Sequence, residues 1–419
     1  MKNIIQYMLI YVIIFLILIS CSQPTETATI EQQKEYEYCW QLLDIYFIFR
    51  NQLPRAEDYH KPAALFNAAN EPYTNYYPKD EAQRVLDMLN TENAGIGIII
   101  DSTTTGYMIS YVVPESPAGR AGLMENDTIV AVDDILIRGM AYDALEPLLN
   151  GAIGDNKKLT VHRPEAGEIH VQLTIASFFE PSVIVDSLES DVAYIYLNTF
   201  LSETGVPGGS AEEFRTALIQ TQWADYTILD LSFNSGGELN QCVQITSEFF
   251  HEDTPLIVSQ KRVYQISDSS GITIEDTIRA SFNGNAIDRK FIVIFNKQSA
   301  SATELLISAL RCQRKDIVLI GETTYGKARG QIYHSTPMDA LATVTFSLFR
   351  PLDGVLYDLS GIDPDIFLED NENGVALALG QIESGLAKLP YVRYKIRKIM
   401  TLRQHQSRKP VLDLFDRIQ

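Results

Sequence analysis

From about residue 182 the chain alternates apolar strands with helical segments at short intervals, and this alternation constrains the fold more tightly than any other feature. VAYIYLNTF at 192–200, YTILDLSF at 226–233, FIVIFN at 291–296 and DIVLIG at 316–321 read as strands. Between them, EEFRTALIQTQ, Glu238 to Phe250 and Thr303 to Arg311 carry helical spacing. Such an order specifies an α/β sheet domain, expected over residues 178–390. Ahead of it the texture changes. GIGIIID, GYMISYVV, DTIVAVDD, KLTVHR and IHVQLTI are short strands separated by turn residues, which predicts a β-rich unit over 93–177. Earlier still, Tyr38, Leu42, Ile45, Tyr46 and Phe49 recur at helical intervals, and a second helix runs from Lys79 toward Leu89. Residues 35–92 are therefore expected to form a small helical unit, with NEPYTNYYPKDEA, rich in Pro and Tyr, as an irregular connector. At roughly 150 residues per domain, a chain of 419 residues has room for these units.

The two termini are not part of that core. Residues 1–20 pair one basic residue, Lys2, with an almost unbroken apolar run, the pattern of a signal peptide. Leu18-Ile19-Ser20-Cys21 resembles the lipobox of bacterial lipoproteins, which implies cleavage ahead of Cys21 and lipidation of its side chain. The polar stretch that follows, to residue 34, reads as a tether. A retained transmembrane anchor is the rival reading. Either way the rest of the chain is expected outside the cytoplasm, lipid-anchored in the cell envelope, and Ser22 is compatible with outer-membrane sorting in a two-membrane bacterium. The tail at 391–419 is locally basic, against a formal net charge of −20 for the whole chain. That charge disfavours nucleic acid as a partner, because phosphate-backbone binding needs a basic surface that releases counterions. Cys39, Cys242 and Cys312 are widely separated and the six histidines are scattered singly, so no metal-ligand spacing is present and no cofactor is called for.

Three segments at predicted strand ends carry the residue types of chemistry, where open sheets place their ligands. Asp230 to Gly237 ends in a glycine pair able to turn backbone N–H groups toward a developing negative charge. Asn296 to Glu304 is a turn of small residues with two serines, Ser299 and Ser301, just ahead of a helix. Gly321 to Lys327 fits G-x-x-x-x-G-K, most of a phosphate-binding loop. Ala328 stands where that loop needs Ser or Thr for magnesium, and the residues after it read as a returning strand instead of a helix, so nucleotide binding is disfavoured.

PESPAGRAGLMENDTIVAVDDILIRG resembles a PDZ domain. The resemblance implies that protein C-termini add a strand to its sheet, with the terminal carboxylate held at Ile96-Gly97-Ile98. Asn126 departs from the Gly common in such sequences, but Asn also tolerates a left-handed backbone. DLSFNSGG, QSASATE, GETTYGK with Gln331, and SGIDPDI occur in the order of the C-terminal processing, or tail-specific, serine/lysine peptidases, a resemblance that covers nearly all of the chain after Cys21. It implies a ClpP/crotonase-like α/β core and assigns Ser301 as nucleophile, Lys327 as general base and Gln331 as the third member of a triad. The oxyanion donors would be Ala302 and one of Gly236 and Gly237. Ser232 stands where relatives usually carry arginine. A serine hydroxyl attacks only when a base within reach takes its proton, and lysine can do so only when neutral, which requires a dry, apolar site. The expected function is an endopeptidase acting on extracytoplasmic proteins bound by their C-termini. A catalytically silent PDZ lipoprotein acting as scaffold or adaptor is the alternative, and a His-dependent hydrolase is disfavoured by the lack of a G-x-S-x-G elbow.

Overall fold

The computed structural model describes residues 29–382 apart from 90–91, 104–105, 189–190, 266–269 and 370–372. The signal segment, Cys21 and the basic tail lie outside the described residues. No helix among the described residues is long and apolar enough to cross a membrane.

Helix α1 (Ile30–Tyr46) starts at a capping box, in which Thr29 Oγ1 accepts from the Gln32 amide and Gln32 Oε1 accepts from the Thr29 amide. It is followed by α2 (Pro62–Ala68), strand β1 (Asn75–Tyr77) and α3 (Lys79–Leu89). The connector expected to be irregular thus contains a strand. Its alternating Tyr76 and Tyr77 suit a half-buried β position, and its partner is more than 260 residues away in the chain, where no local pattern can reveal it.

The next unit opens and closes on a two-stranded ribbon, β2 (Glu92–Gly95) against β9 (Ala176–Phe179). Between these lie β3 (Ile98–Thr103), β4 (Gly106–Val112), α4 (Pro117–Arg120), β5 (Thr128–Val132), β6 (Ile135–Leu136), α5 (Tyr142–Leu149), β7 (Asn156–Arg163) and β8 (Gly167–Thr174). The sheet order is β3-β4-β5-β7-β8, which leaves β3 at an edge. Ile109, Ile129, Leu145, Leu159 and Ile175 fill a separate core. Asp127, fully buried, is gripped by both Nε and Nη2 of Arg163 at 2.8 Å, which offsets the cost of burying its charge. Asn126 adopts φ +70°, the left-handed turn its side chain tolerates.

The largest unit is built on six strands: β10 (Val183–Ser187), β11 (Val192–Leu197), β12 (Tyr226–Asp230), β15 (Lys290–Phe295), β16 (Val318–Gly321) and β19 (Ile366–Phe367), in that spatial order and parallel except for β10. Side chains alternate across it. Ile195, Leu197 and Leu229 face helices α6 (Gly209–Gln220), α7 (Leu239–Ser247) and α8 (Ala302–Gln313), whereas Tyr194, Tyr196 and Ile228 face α9 (Gly374–Ile382). Cover on both faces is why the central strands read as mostly apolar runs instead of alternating. A second sheet, hard to see in the sequence, joins β1, β18 (Leu341–Arg350), β13 (Pro255–Gln265) and β14 (Ser270–Arg279), with β17 (Arg329–Ser335) also on β18. Ala342 and Val344 of β18 share one core with Leu43, Phe47 and Leu65, so the N-terminal helices are built onto this sheet.

Candidate active site

Strands β12, β15 and β16 are adjacent and parallel, so their C-terminal ends, and the three segments singled out from the sequence, meet on one edge of the sheet. The first two are stitched together by backbone polar groups. Asn234 O accepts from the Ala300 amide at 3.0 Å and from Thr303 Oγ1 at 2.8 Å, while Asn296 Oδ1 accepts from the Phe233 amide at 3.0 Å. Ser299, fully buried, spends its hydroxyl inside the turn, donating to Leu231 O at 2.9 Å and accepting from the Asn296 amide at 3.0 Å. That occupation leaves it a turn former.

Ser301 is the N-cap of α8 and holds φ +57°, ψ −117°. A left-handed φ on a residue with a side chain costs of order 1–3 kcal/mol and persists only where the surroundings impose it. Here Glu304, one turn into α8, imposes it. Its buried carboxylate accepts from the Ser301 amide at 2.9 Å and the Lys327 amide at 2.8 Å through Oε2, and from Thr324 Oγ1 at 2.5 Å and the Gly326 amide at 2.6 Å through Oε1. Burial pushes the Glu304 carboxyl upward, against the hydrogen bonds that hold it down. One carboxylate oxygen therefore carries the backbones of both Ser301 and Lys327. Ser301-x-x-Glu304 has the spacing of a capping box, the sequence signal that could have marked Glu304 as the organising residue.

Lys327 is buried, and removal from water lowers its amine from the ordinary 10.5 to about 8, while the charges of Glu71 and Glu304 oppose the shift. The ring of Tyr73 lies 4.7 Å from its Nζ. The loop that carries it is clamped by Leu359 and the SGIDPDI segment that follows it: Leu359 N donates to Gly326 O at 2.7 Å, Ile362 N to Thr324 Oγ1 at 2.7 Å, and Thr323 Oγ1 to Asp363 Oδ1 at 2.7 Å. After Lys327 the chain runs into β17, so the helix a phosphate-binding loop requires is missing.

Two expected roles are adjusted. Gly236 packs on the serine, since a Cβ there would stand 2.9 Å from Ser301 Cβ and its φ is +109°, but its N–H is committed to Asn234 Oδ1 at 2.9 Å. Gly236 is thus corrected from oxyanion donor to the glycine that permits close approach. Among the described residues no acceptor meets the amides of Gly237 or Ala302. Gln331 sits on β17, and its Nε2 donates to Thr345 Oγ1 at 3.4 Å, not to Lys327. The alternation of β17 and its register with β18 turn it that way. Thr345 Oγ1 in turn donates to Glu71 Oε2 at 2.7 Å, and the Glu71 charge acts on Lys327.

Ile96, Gly97 and Ile98 lie in the β-rich unit at the start of edge strand β3. The carbonyls of Ile96 and Gly97 accept from the Ala118 and Val113 amides at 2.8 and 3.0 Å. A Cβ at Gly97, φ +81°, would stand 2.1 Å from Ser116 Cβ, so only glycine fits. Cys39, Cys242 and Cys312 are free thiols, each on a helix. Among the described residues no group of three or more His, Cys, Asp or Glu side chains could hold a metal ion.

Residues 108–163 match the PDZ domain family and residues 191–368 match peptidase family S41. The chain is 24% identical over 307 residues to the carboxy-terminal processing protease CtpA of Bacillus subtilis, covering 73% of this chain and 62% of that protein. It is 24% identical over 367 residues to the carboxy-terminal-processing protease of Bartonella bacilliformis, covering 85% of this chain and 81% of the relative. Its fold is similar to that of a solved Bacteroides fragilis structure described as an S41 protease, with a TM-score of 0.55 at 16% identity across 91% of this chain and 99% of the other. The chain is thus similar to carboxy-terminal processing proteases, with a segment matching the PDZ domain family ahead of the segment matching peptidase family S41.

Proposed function

We propose that this serine-type peptidase is an endopeptidase that works through a Ser301/Lys327 dyad on proteins captured by their C-termini. The observation that carries the reading is the single carboxylate of Glu304, which holds a strained Ser301 and a buried Lys327 on one atom. Neutral Lys327 takes the Ser301 proton as Oγ attacks the scissile carbonyl. The tetrahedral oxyanion is met by the amides of Gly237 and Ala302, the latter at the positive end of α8. The resulting ammonium protonates the leaving amine, giving an acyl-enzyme, and water attacks that ester with Lys327 again accepting a proton. Gln331 and Thr345 support Glu71 beside the lysine.

The PDZ unit, 93–177, presents β3 as a free edge for strand addition, with the terminal carboxylate at Ile96-Gly97-Ile98. The peptidase unit, 178–390, has a ClpP/crotonase-like core, and 35–92 is its helical lead. With a signal peptide over 1–20, lipidation at Cys21 and a tether to 34, the enzyme works outside the cytoplasm, lipid-anchored in the cell envelope.

The test is cleavage of unstructured polypeptides by wild type, Ser301→Ala and Lys327→Ala, with and without a free C-terminal carboxylate on the substrate. Activity is expected to vanish in both variants and to fall for amidated substrates. Full activity in either variant overturns the dyad. Retained peptide binding with no turnover by the wild type supports a scaffold instead.

A further inference from the structure

Lys327 is roofed by a piece of chain from far upstream. Tyr73, 4% exposed, comes from the segment between α2 and β1, and its ring covers the amine at 4.7 Å. That segment is anchored at several points. Asn75, Tyr76 and Tyr77 pair with Thr343, Ala342 and Leu341 of β18. Glu71, nearly buried, accepts from the Tyr73 amide at 3.2 Å, Thr74 Oγ1 at 2.6 Å, Thr345 Oγ1 at 2.7 Å and Arg329 Nη1 at 2.9 Å. Arg329, two residues past Lys327, is also held by Asp358, with Nη2 2.7 Å from Oδ2. The Tyr73 side chain is hydrogen-bonded to Tyr325, two residues before Lys327. The roof is therefore bolted to the lysine loop on both sides.

We propose that Tyr73 is a positioning residue for Lys327: docking of the Glu71–Tyr77 segment seals the amine from water, and the catalytic lysine is complete only with this N-terminal segment in place. The inference rests on Lys327 being the base. Two effects of the ring oppose each other. Its face attracts the ammonium, and its bulk excludes the water that would solvate the ammonium. Burial is the largest influence on this amine, ahead of its acidic neighbours Glu71 and Glu304, and the Tyr73 ring at 4.7 Å is part of that burial. The other ionisable groups packed round the loop are Arg329 and Asp358, paired with each other, and Tyr325 and Tyr357.

The experiment is the pH dependence of kcat/KM, which reports the free enzyme. The wild type is expected to rise through a midpoint of about 8. Tyr73→Ala opens the roof and moves that midpoint up by about one pH unit, toward the ordinary lysine value. Tyr73→Phe keeps the ring and holds the midpoint. Tyr73→Gln, which puts a hydrated amide in the same space, moves it upward as well and serves if the alanine variant does not fold. A midpoint unmoved in both Tyr73→Ala and Tyr73→Gln, whatever the loss of rate, overturns the proposal. Lys327→Ala separates the two levels of the argument. If it retains activity, the dyad itself fails; if it is inactive while the Tyr73 variants keep the wild-type midpoint, only the roof fails.

Discussion

Replacing Lys327 with methionine should destroy activity and make the protein more stable, by an amount that depends on pH in a stated direction. A buried amine lowered from 10.5 to about 8 corresponds to about 3 kcal/mol at ~1.4 kcal/mol per tenfold change. The native state binds the proton less tightly than the unfolded chain does. Between pH ~8 and ~10.5 the unfolded chain therefore holds a proton that the native state has released, and stability rises with pH across that window. Below it both states are protonated and the full penalty applies. Lys327→Met removes the charge and retains apolar bulk. Glu304 and Glu71 keep their own donors. The variant should be about 3 kcal/mol more stable than wild type at pH 7, about 1 kcal/mol at pH 9.5 and equal to it near pH 11. At roughly 2 °C per kcal/mol for a chain this large, thermal unfolding should show a gain of roughly 6 °C at pH 7 that shrinks as pH rises. A gain that is the same at pH 7 and 9.5, or a loss at both, refutes a lysine with a lowered proton affinity.

Other perturbations follow from the same geometry. Gly236→Ala sets a Cβ 2.9 Å from Ser301 Cβ at a φ of +109°, so kcat should fall by about 100-fold or more while the far-ultraviolet spectrum is retained. Glu304→Gln turns an acceptor oxygen into a donor facing two amide N–H groups. It should cost about 2–4 kcal/mol in denaturant unfolding and most of the activity. Gly97→Ala clashes with Ser116 and should weaken binding of free C-terminal peptides about tenfold or more by calorimetry, with cleavage of a short internal peptide preserved. Arg163→Met takes both guanidinium hydrogen bonds from the buried Asp127 carboxylate and should lower the melting point of the PDZ unit by calorimetry.

The elements easiest to read were those whose partners are near in sequence or whose burial is complete. VAYIYL, YTILD and KFIVIF are mostly apolar on both faces because helices cover both sides of their sheet, so they declare themselves as strands without alternation. Glu304 was legible in principle, through a local capping pattern, but its second task of holding Lys327 depends on a loop that arrives more than twenty residues later. Gln331 shows the limit from the other side. Motif order brings it near the lysine, yet the register of β17 on β18 turns its side chain to Thr345. The long hairpin β13–β14 is a similar case, since β13 pairs with β18, more than 80 residues further along the chain.

The order of residues by itself determined the α/β core, the strand-end turns and the chemical types gathered there, because strands, glycine turns and helix caps are local and leave local signatures. Tertiary structure alone decided which of those groups act together. Two amides share one oxygen of Glu304, Gly236 yields its N–H to Asn234, and an unremarkable Pro- and Tyr-rich connector becomes the roof of Lys327. The physical reason is water. A lysine's readiness to accept a proton is set by which atoms exclude solvent from it, and those atoms come from parts of the chain that only folding brings together.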